Sequence, residues 1–213
     1  PFQNTNASSP AFVPSSHVLE INEERVAKID ALAVAGRTGL NALLLAVWQM
    51  LLWRLTGEAA LTIGVAFDGR KYEELRNTIG LLTRFVPIHS RIDPAARFSQ
   101  VAREIGEVLS DASKWQEYFA SDQNDFLPCA FAYEEMPADF TAADLRFSLL
   151  SWDARVDKFQ IKLVCTRAGK RLTLAFHFDS MLFHSEDIER ISDQFDTLLS
   201  SILENPQLPI MRL

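Results

Sequence analysis

The stretch LTIGVAFDGRKYEELRNTIGLLTRFVPIHSRI, residues 61–92, decides the fold. Two apolar runs, ALTIGVAF ending at Phe67 and RFVPIHSRI beginning at Arg84, have the length and β-branched content of buried strands. A polar connection separates them, and Asp68-Gly69-Arg70 closes the first run. Glycine at a strand end permits a sharp backbone turn. The arginine behind it needs a partner.

Immediately upstream, Gly39 to Leu55 reads as a helix capped by Thr38 and stopped by Gly57. Leu43, Leu44, Leu45, Val47, Trp48, Met50, Leu51 and Leu52 make it apolar nearly all round, the signature of a central helix. It is shorter than the roughly 20 apolar residues of a membrane span, and Gln49 and Arg54 interrupt it. Before it, HVLEI (17–21) alternates as a short strand. Asn22 then caps a helix with Glu23 and Glu24 in its first turn and a Val26, Ile29, Leu32, Ala33 stripe, ended by Gly36. Residues 1–16, rich in Pro, Ser and Asn, read as a linker or lead-in without the charged and apolar segments of a secretory signal. Residues 17–213 read as one unit.

Downstream, Asp93-Pro94 is expected to open a third helix with Phe98, Val101, Ile105, Val108, Ala112 and Trp115 on one face. LPCAFAYEE and FSLLSW read as further strands, and FQIKLVCTRAGKRLTLAFHFDS as a hairpin turning at Ala168-Gly169-Lys170. A last helix starts at Ser185 and buries Ile188, Ile191, Phe195, Leu198 and Ile202 before NPQLP ends it. The fold class is α/β: a two-layer arrangement in which a mixed sheet is covered by four helices.

The chain has 213 residues, 48% hydrophobic and 23% charged, with a net charge of −7 and no run of Lys and Arg, which argues against nucleic-acid binding. Cys129 and Cys165 sit in apolar runs and read as reduced core thiols of a cytoplasmic protein. None of His17, His89, His177 and His184 has a second histidine or a cysteine at ligand spacing, so no metal is expected. His177, on an alternating strand, reads as structural or surface before catalytic. No nucleophile elbow, P-loop or dinucleotide fingerprint follows a strand. The acidic stretches read as solvated helix faces. The residues alone describe an α/β domain with no visible active site.

The order of segments resembles the C-terminal half of a nonribosomal peptide synthetase condensation domain. TGLNALLLAVWQMLLWRLTGE is similar to the family's long buried helix, and LTIGVAFDGR to its strand ending in Gly-Arg. IGLLTRFVPI resembles the Ile/Val-Gly-x-Phe-Val-Asn-Thr motif with its Leu-Pro pair, and WQEYF stands where the family has His-Gln-Asp before Pro-Phe. The closing hairpin, Leu-Phe turn and terminal helix also match. Arg84 replaces the motif asparagine, Phe85 the threonine, Trp115 the histidine and Glu117 the aspartate. The family's Arg-Asp…Arg-Asn-Pro segment is not recognisable in SDQNDFLPCAF, and no His-His-x-x-x-Asp-Gly string occurs.

The resemblance implies a chloramphenicol-acetyltransferase-like lobe with a mostly antiparallel mixed sheet. It implies a parent that joins a donor acyl or peptidyl thioester to an acceptor aminoacyl thioester as an amide. The partners implied are the N-terminal lobe, peptidyl carrier proteins and an adenylation domain, without nucleic acid or membrane. No cofactor binds directly; phosphopantetheine arrives on the carriers. Arg70 would pair with the aspartate of the histidine motif through a bidentate contact, and Gly69 would allow the turn. Gly80, Arg84, Trp115 and Gln116 would be motif or tunnel-wall positions. No catalytic residue lies in this chain, so it is expected to be inactive alone and to expose an apolar strip near the two strands. Alternatives are an epimerisation or ester-forming relative, a non-catalytic docking platform, and a small acyltransferase using His177.

Overall fold

The computed structural model describes residues 12–75, 78–119, 127–137, 139–149 and 159–213. Among them, β1 (Pro14–Ile21), β8 (Arg171–Asp179), β7 (Ile161–Ala168), β4 (Cys129–Glu135), β2 (Ala60–Phe67) and β3 (Arg84–Arg91) form one mixed sheet in that order. The β1/β8, β8/β7 and β2/β3 pairs are antiparallel, while β4 runs parallel to both β7 and β2. A separate small hairpin joins β5 (Phe140–Ala142) to β6 (Leu145–Phe147).

One sheet face is covered by α1 (Glu23–Gly36), α2 (Leu40–Thr56), α3 (Phe98–Trp115) and α4 (Ser185–Glu204). Alternate strand residues supply the sheet side of this interface: Leu172, Leu174, Phe176 and Phe178 of β8, and Ile161, Leu163 and Cys165 of β7, join a single buried cluster with the helices. α2 is its centre, with every residue from Ala42 to Leu52 buried. Trp48 meets Phe176 edge-on at 6.0 Å, and Phe176 meets Phe195 of α4 at 5.9 Å. Truncating a fully buried leucine such as Leu44 to alanine costs about 3 kcal/mol, because the helix cannot collapse into the space left.

Local chemistry sets several boundaries. Asn22 caps α1, its side-chain oxygen accepting from the Arg25 N–H at 2.9 Å. The β7–β8 reversal uses Gly169 and Lys170, with Ala168 opposite Arg171. α4 starts at Ser185, and the Asp187 carboxylate accepts from the His184 N–H at 3.4 Å. β3 is an outer strand of the sheet and carries Pro87 opposite Gly64.

Other expectations are corrected. The N-cap of α2 is Gly39; the Thr38 hydroxyl instead donates to the Ala102 carbonyl of α3 at 3.2 Å. Asp93 caps a turn, accepting from the Ala95 N–H at 2.9 Å, and α3 begins only at Phe98. Its buried stripe is Phe98, Val101, Ala102, Ile105 and Leu109, leaving Val108 and Trp115 exposed. The first strand begins at Pro14 rather than His17. β6 ends at Phe147, so the strand expected over FSLLSW is not formed at Ser148 and Leu149, and its last residues lie outside the described residues. So do residues 1–11 of the lead-in and all of SDQNDF. Both cysteines are free thiols. Among the described residues no single helix is long and apolar enough to cross a membrane, and α1 and α2 bend by 100° at their junction.

Candidate functional site

The connection from β2 to β3 folds back against the C-terminal end of α3. Asp68 starts the reversal, its carboxylate accepting from the Arg70 N–H at 3.0 Å. Gly69 follows at φ +68°, and a Cβ there would lie 2.0 Å from the Leu82 carbonyl oxygen. Only glycine satisfies both conditions. The Arg70 guanidinium then gathers its own loop: Nη1 donates to Asp68 O at 3.1 Å, and Nη2 to Thr78 O at 3.3 Å and Gly80 O at 3.1 Å.

Two more cations fasten the connection to α3. Lys71 Nζ donates to Lys114 O at 2.9 Å, and Arg84 Nη1 to Glu117 O at 3.1 Å. Both meet carbonyls at the negative end of the helix, where positive charge is favoured. Tyr72 pairs with the Glu117 carboxylate, and that hydrogen bond and charge push its phenol above the usual range. Between the two segments opens a pocket of about 360 Å³ lined by Gly69, Tyr72, Leu75, Leu82, Arg84 and Glu117, among others. The Glu117 Oε1 is buried and has no hydrogen-bond partner among the described residues.

The structure therefore gathers the residues singled out from the sequence at one end of the sheet. Gly69 and Arg84 line the pocket, and Gly80 holds Arg70. Gln116 is buried, its Nε2 donating to Ser113 O at 3.0 Å, while Trp115 is exposed and lies 5.7 Å from the Tyr118 ring. Sequence reading missed Lys71, Tyr72 and Leu75, and noted Glu117 only as a departure from a motif. Nothing local marks them, since they act across the gap to α3. Apolar exposure is found in the connection, at Ile79 and Leu81, and at Trp115 and Tyr118, rather than on β2 and β3, whose apolar residues are mostly covered.

His177 lies elsewhere, on β8 opposite Lys162 and Ser16, on the sheet face away from the helices. Lys162 is buried there with its ammonium 5.8 Å from the Phe85 ring and 6.0 Å from Phe159. Phe85 thus closes an aromatic pair, its ring 4.7 Å from Phe159. Burial raises the Glu134 carboxyl on the same face, with Lys162 opposing the shift. Among the described residues no group of three or more His, Cys, Asp or Glu could hold a metal ion.

The condensation-domain family model matches residues 1–213. The chain belongs to the condensation-domain family. Bacitracin synthase 1 of Bacillus licheniformis is 24% identical over 203 residues, which are 89% of this chain and 4% of that protein. A four-domain nonribosomal peptide synthetase solved with AMP and glycine superposes with a TM-score of 0.80 at 20% identity, covering 94% of this chain and 17% of that one. The condensation domain of the monacolin K polyketide synthase MokA gives 0.81 at 14% identity, over 93% of this chain and 49% of that one. This condensation-family chain thus spans about half of that domain and a small fraction of the synthases. The fold is the chloramphenicol-acetyltransferase-like α/β sandwich, its mixed sheet backed by helices.

Proposed function

We propose that the chain from Pro14, where β1 begins, to Leu213 is the C-terminal lobe of a nonribosomal peptide synthetase condensation domain. Family membership and the half-domain span support this. The parent forms an amide: the amine nitrogen of an acceptor aminoacyl thioester attacks the donor acyl carbonyl. A C–N bond forms, the C–S bond breaks, and the amine proton leaves with the thiol. Both thioesters ride on phosphopantetheine arms of peptidyl carrier proteins, so the arm is part of the substrate. An adenylation domain would load the acceptor carrier. The N-terminal lobe supplies the histidine motif, and this lobe supplies one wall of the tunnel between them. Rate comes mainly from holding two tethered reactants in register.

The observation that carries this reading is the fixed geometry of Gly69-Arg70. A turn that only glycine can make sets the arginine at the mouth of β2, and three carbonyl contacts hold its guanidinium there. An incoming aspartate meets a cation already placed, which favours a charge-assisted contact. Nη2 is engaged twice, so a bidentate pair requires it to release the longer contact, to Thr78 at 3.3 Å.

The test uses the two-lobed parent with carrier-bound thioesters. Arg70→Ala is expected to lower kcat/KM for amide formation by about 100-fold, the usual consequence of a misplaced active-site loop, with Arg70→Lys recovering part of it. Wild-type turnover in Arg70→Ala would overturn the role given to Arg70, and absence of amide formation by the unaltered two-lobed parent would instead favour a docking platform. The 213-residue chain alone is expected to transfer no acyl group.

A further inference from the structure

We propose that a second pocket, between the last turn of α2 and the outer half of α4, binds a monocarboxylate carried on a short apolar stem. Its volume of about 330 Å³ falls within the range of small-ligand pockets. Leu51, Leu55, Leu198 and Leu213 give it an apolar wall, and Arg54, Gln194 and Ser201 a polar one. It stands apart from the site described above. β2 begins at Ala60, just after α2, and runs eight residues, about 25 Å of strand, before the chain reaches the Arg70 turn.

Arg54 sets the charge of the ligand. Its Nη2 donates to Ile210 O at 2.8 Å, and no carboxylate pairs with its guanidinium among the described residues. Burial lowers its pKa, and no neighbouring acid offsets that loss of water. The residue still keeps an exposed surface and lines the pocket, so a ligand can reach it. Nη2 carries two hydrogens. Whichever one serves Ile210, the other completes a two-pronged edge with Nε or with Nη1, the geometry that a carboxylate fits.

The rest of the lining narrows the choice. No Asp or Glu side chain lines the pocket, so nothing there competes for the guanidinium. One cation neutralises one negative charge; a phosphate dianion keeps a second, and an ammonium is repelled. Thr197 is already spent, its hydroxyl donating to Asp193 O at 2.9 Å, which leaves Gln194 and Ser201 as further donors. The chain as a whole carries a charge of −7, so no long-range attraction gathers anions and affinity is set at contact. The leucines accept a stem of about the size of their own side chains.

The test is a titration of the 15N-labelled 213-residue chain with isocaproate, the neutral isocaproamide and N-acetyl-leucine. Saturable shifts are expected at the Leu55, Gln194 and Ser201 amides, with a Kd of about 1 to 10 mM for the acid and about tenfold preference over the amide. Arg54→Gln should abolish that preference. Should this variant unfold through loss of the Ile210 contact, Leu55→Glu at an exposed lining position keeps the question open to measurement. It places a competing carboxylate in the pocket and should remove binding while the remaining spectrum stays unchanged. No saturable shift with either acid, equal binding of isocaproate and isocaproamide, or binding that survives Leu55→Glu overturns the site. A response to isocaproate alone identifies a free acid as the ligand, and a response to N-acetyl-leucine identifies the C-terminal residue of a peptide; both uphold the site. Calorimetry on the two-lobed parent should reproduce the preference, and its absence there also overturns the site. The pocket does not rest on the condensation reading, and amide formation can succeed or fail without moving these titrations.

Discussion

Between β7 and β8 the chain reverses through Gly169 and Lys170 alone, whereas between β2 and β3 it takes residues 68–83 to make the same antiparallel reversal. In the short turn, Gly169 has φ +59° and open space around its missing Cβ. Gly69 has nearly the same angle, φ +68°, yet its missing Cβ would collide with Leu82. The hairpin is thus closed by backbone preference with one cation, Arg167, whose Nε donates to Gly169 O, while the long connection is closed by packing and by three cations bonding main-chain oxygens. Lengthening a loop costs only about 0.6 kcal/mol per doubling. The excess chain therefore needs little compensation, and it builds the pocket.

The sharpest way to break this contrast is a pair of alanines. Gly69→Ala combines a left-handed backbone with a contact at 2.0 Å and is expected to cost about 4 kcal/mol in urea unfolding. Gly169→Ala meets nothing and should cost about 1 kcal/mol. Equal losses would show that the Leu82 contact relaxes freely. Next in size, the double variant Lys71→Met/Arg84→Gln removes both ties to α3. A loss of about 1 kcal/mol is expected, with faster amide exchange in the β2–β3 connection and unchanged protection in the β7–β8 hairpin.

The hairpin has its own tether. Arg167 reaches Asp30 of α1 with both terminal nitrogens, at 3.1 and 2.8 Å. Asp30→Asn should cost about 0.5 kcal/mol at low salt, less at high salt, and should leave the register intact by NMR. The smallest effect is chemical. Burial pushes the Cys165 and Cys129 thiols up, disfavouring the reactive thiolate. A thiol reagent at pH 8 should leave Cys165 of β7 untouched and modify half-buried Cys129 slowly, both reacting at once in denaturant. Rapid native labelling of Cys165 would mean that the hairpin opens.

The same contrast explains what the sequence could disclose. The β7–β8 hairpin was readable because its strands and its glycine act on neighbours in the chain, and α2 because a helix apolar on every side has only one place to go. The start of α3 was not. Residues 94–97 are drawn into pairing with the C-terminal segment, through Ile210 N–H to Ala96 O at 2.9 Å and Met211 N–H to Pro94 O at 3.1 Å, so the helix begins after them. Spacings of three and four allow two adjacent stripes on α3, and only contact with α2 selected Leu109 over Val108. The family motifs located Gly69, Arg70, Gly80 and Arg84. The pocket itself was hidden because Tyr72 and Leu75 meet Glu117 only after the chain has folded back.

Pro87 has a final consequence. It stands midway along the outermost strand, and its ring nitrogen bears no hydrogen. A stray polypeptide seeking to extend the sheet at this rim meets a gap in the row of donors, so fibrillar growth from β3 is disfavoured at its first step.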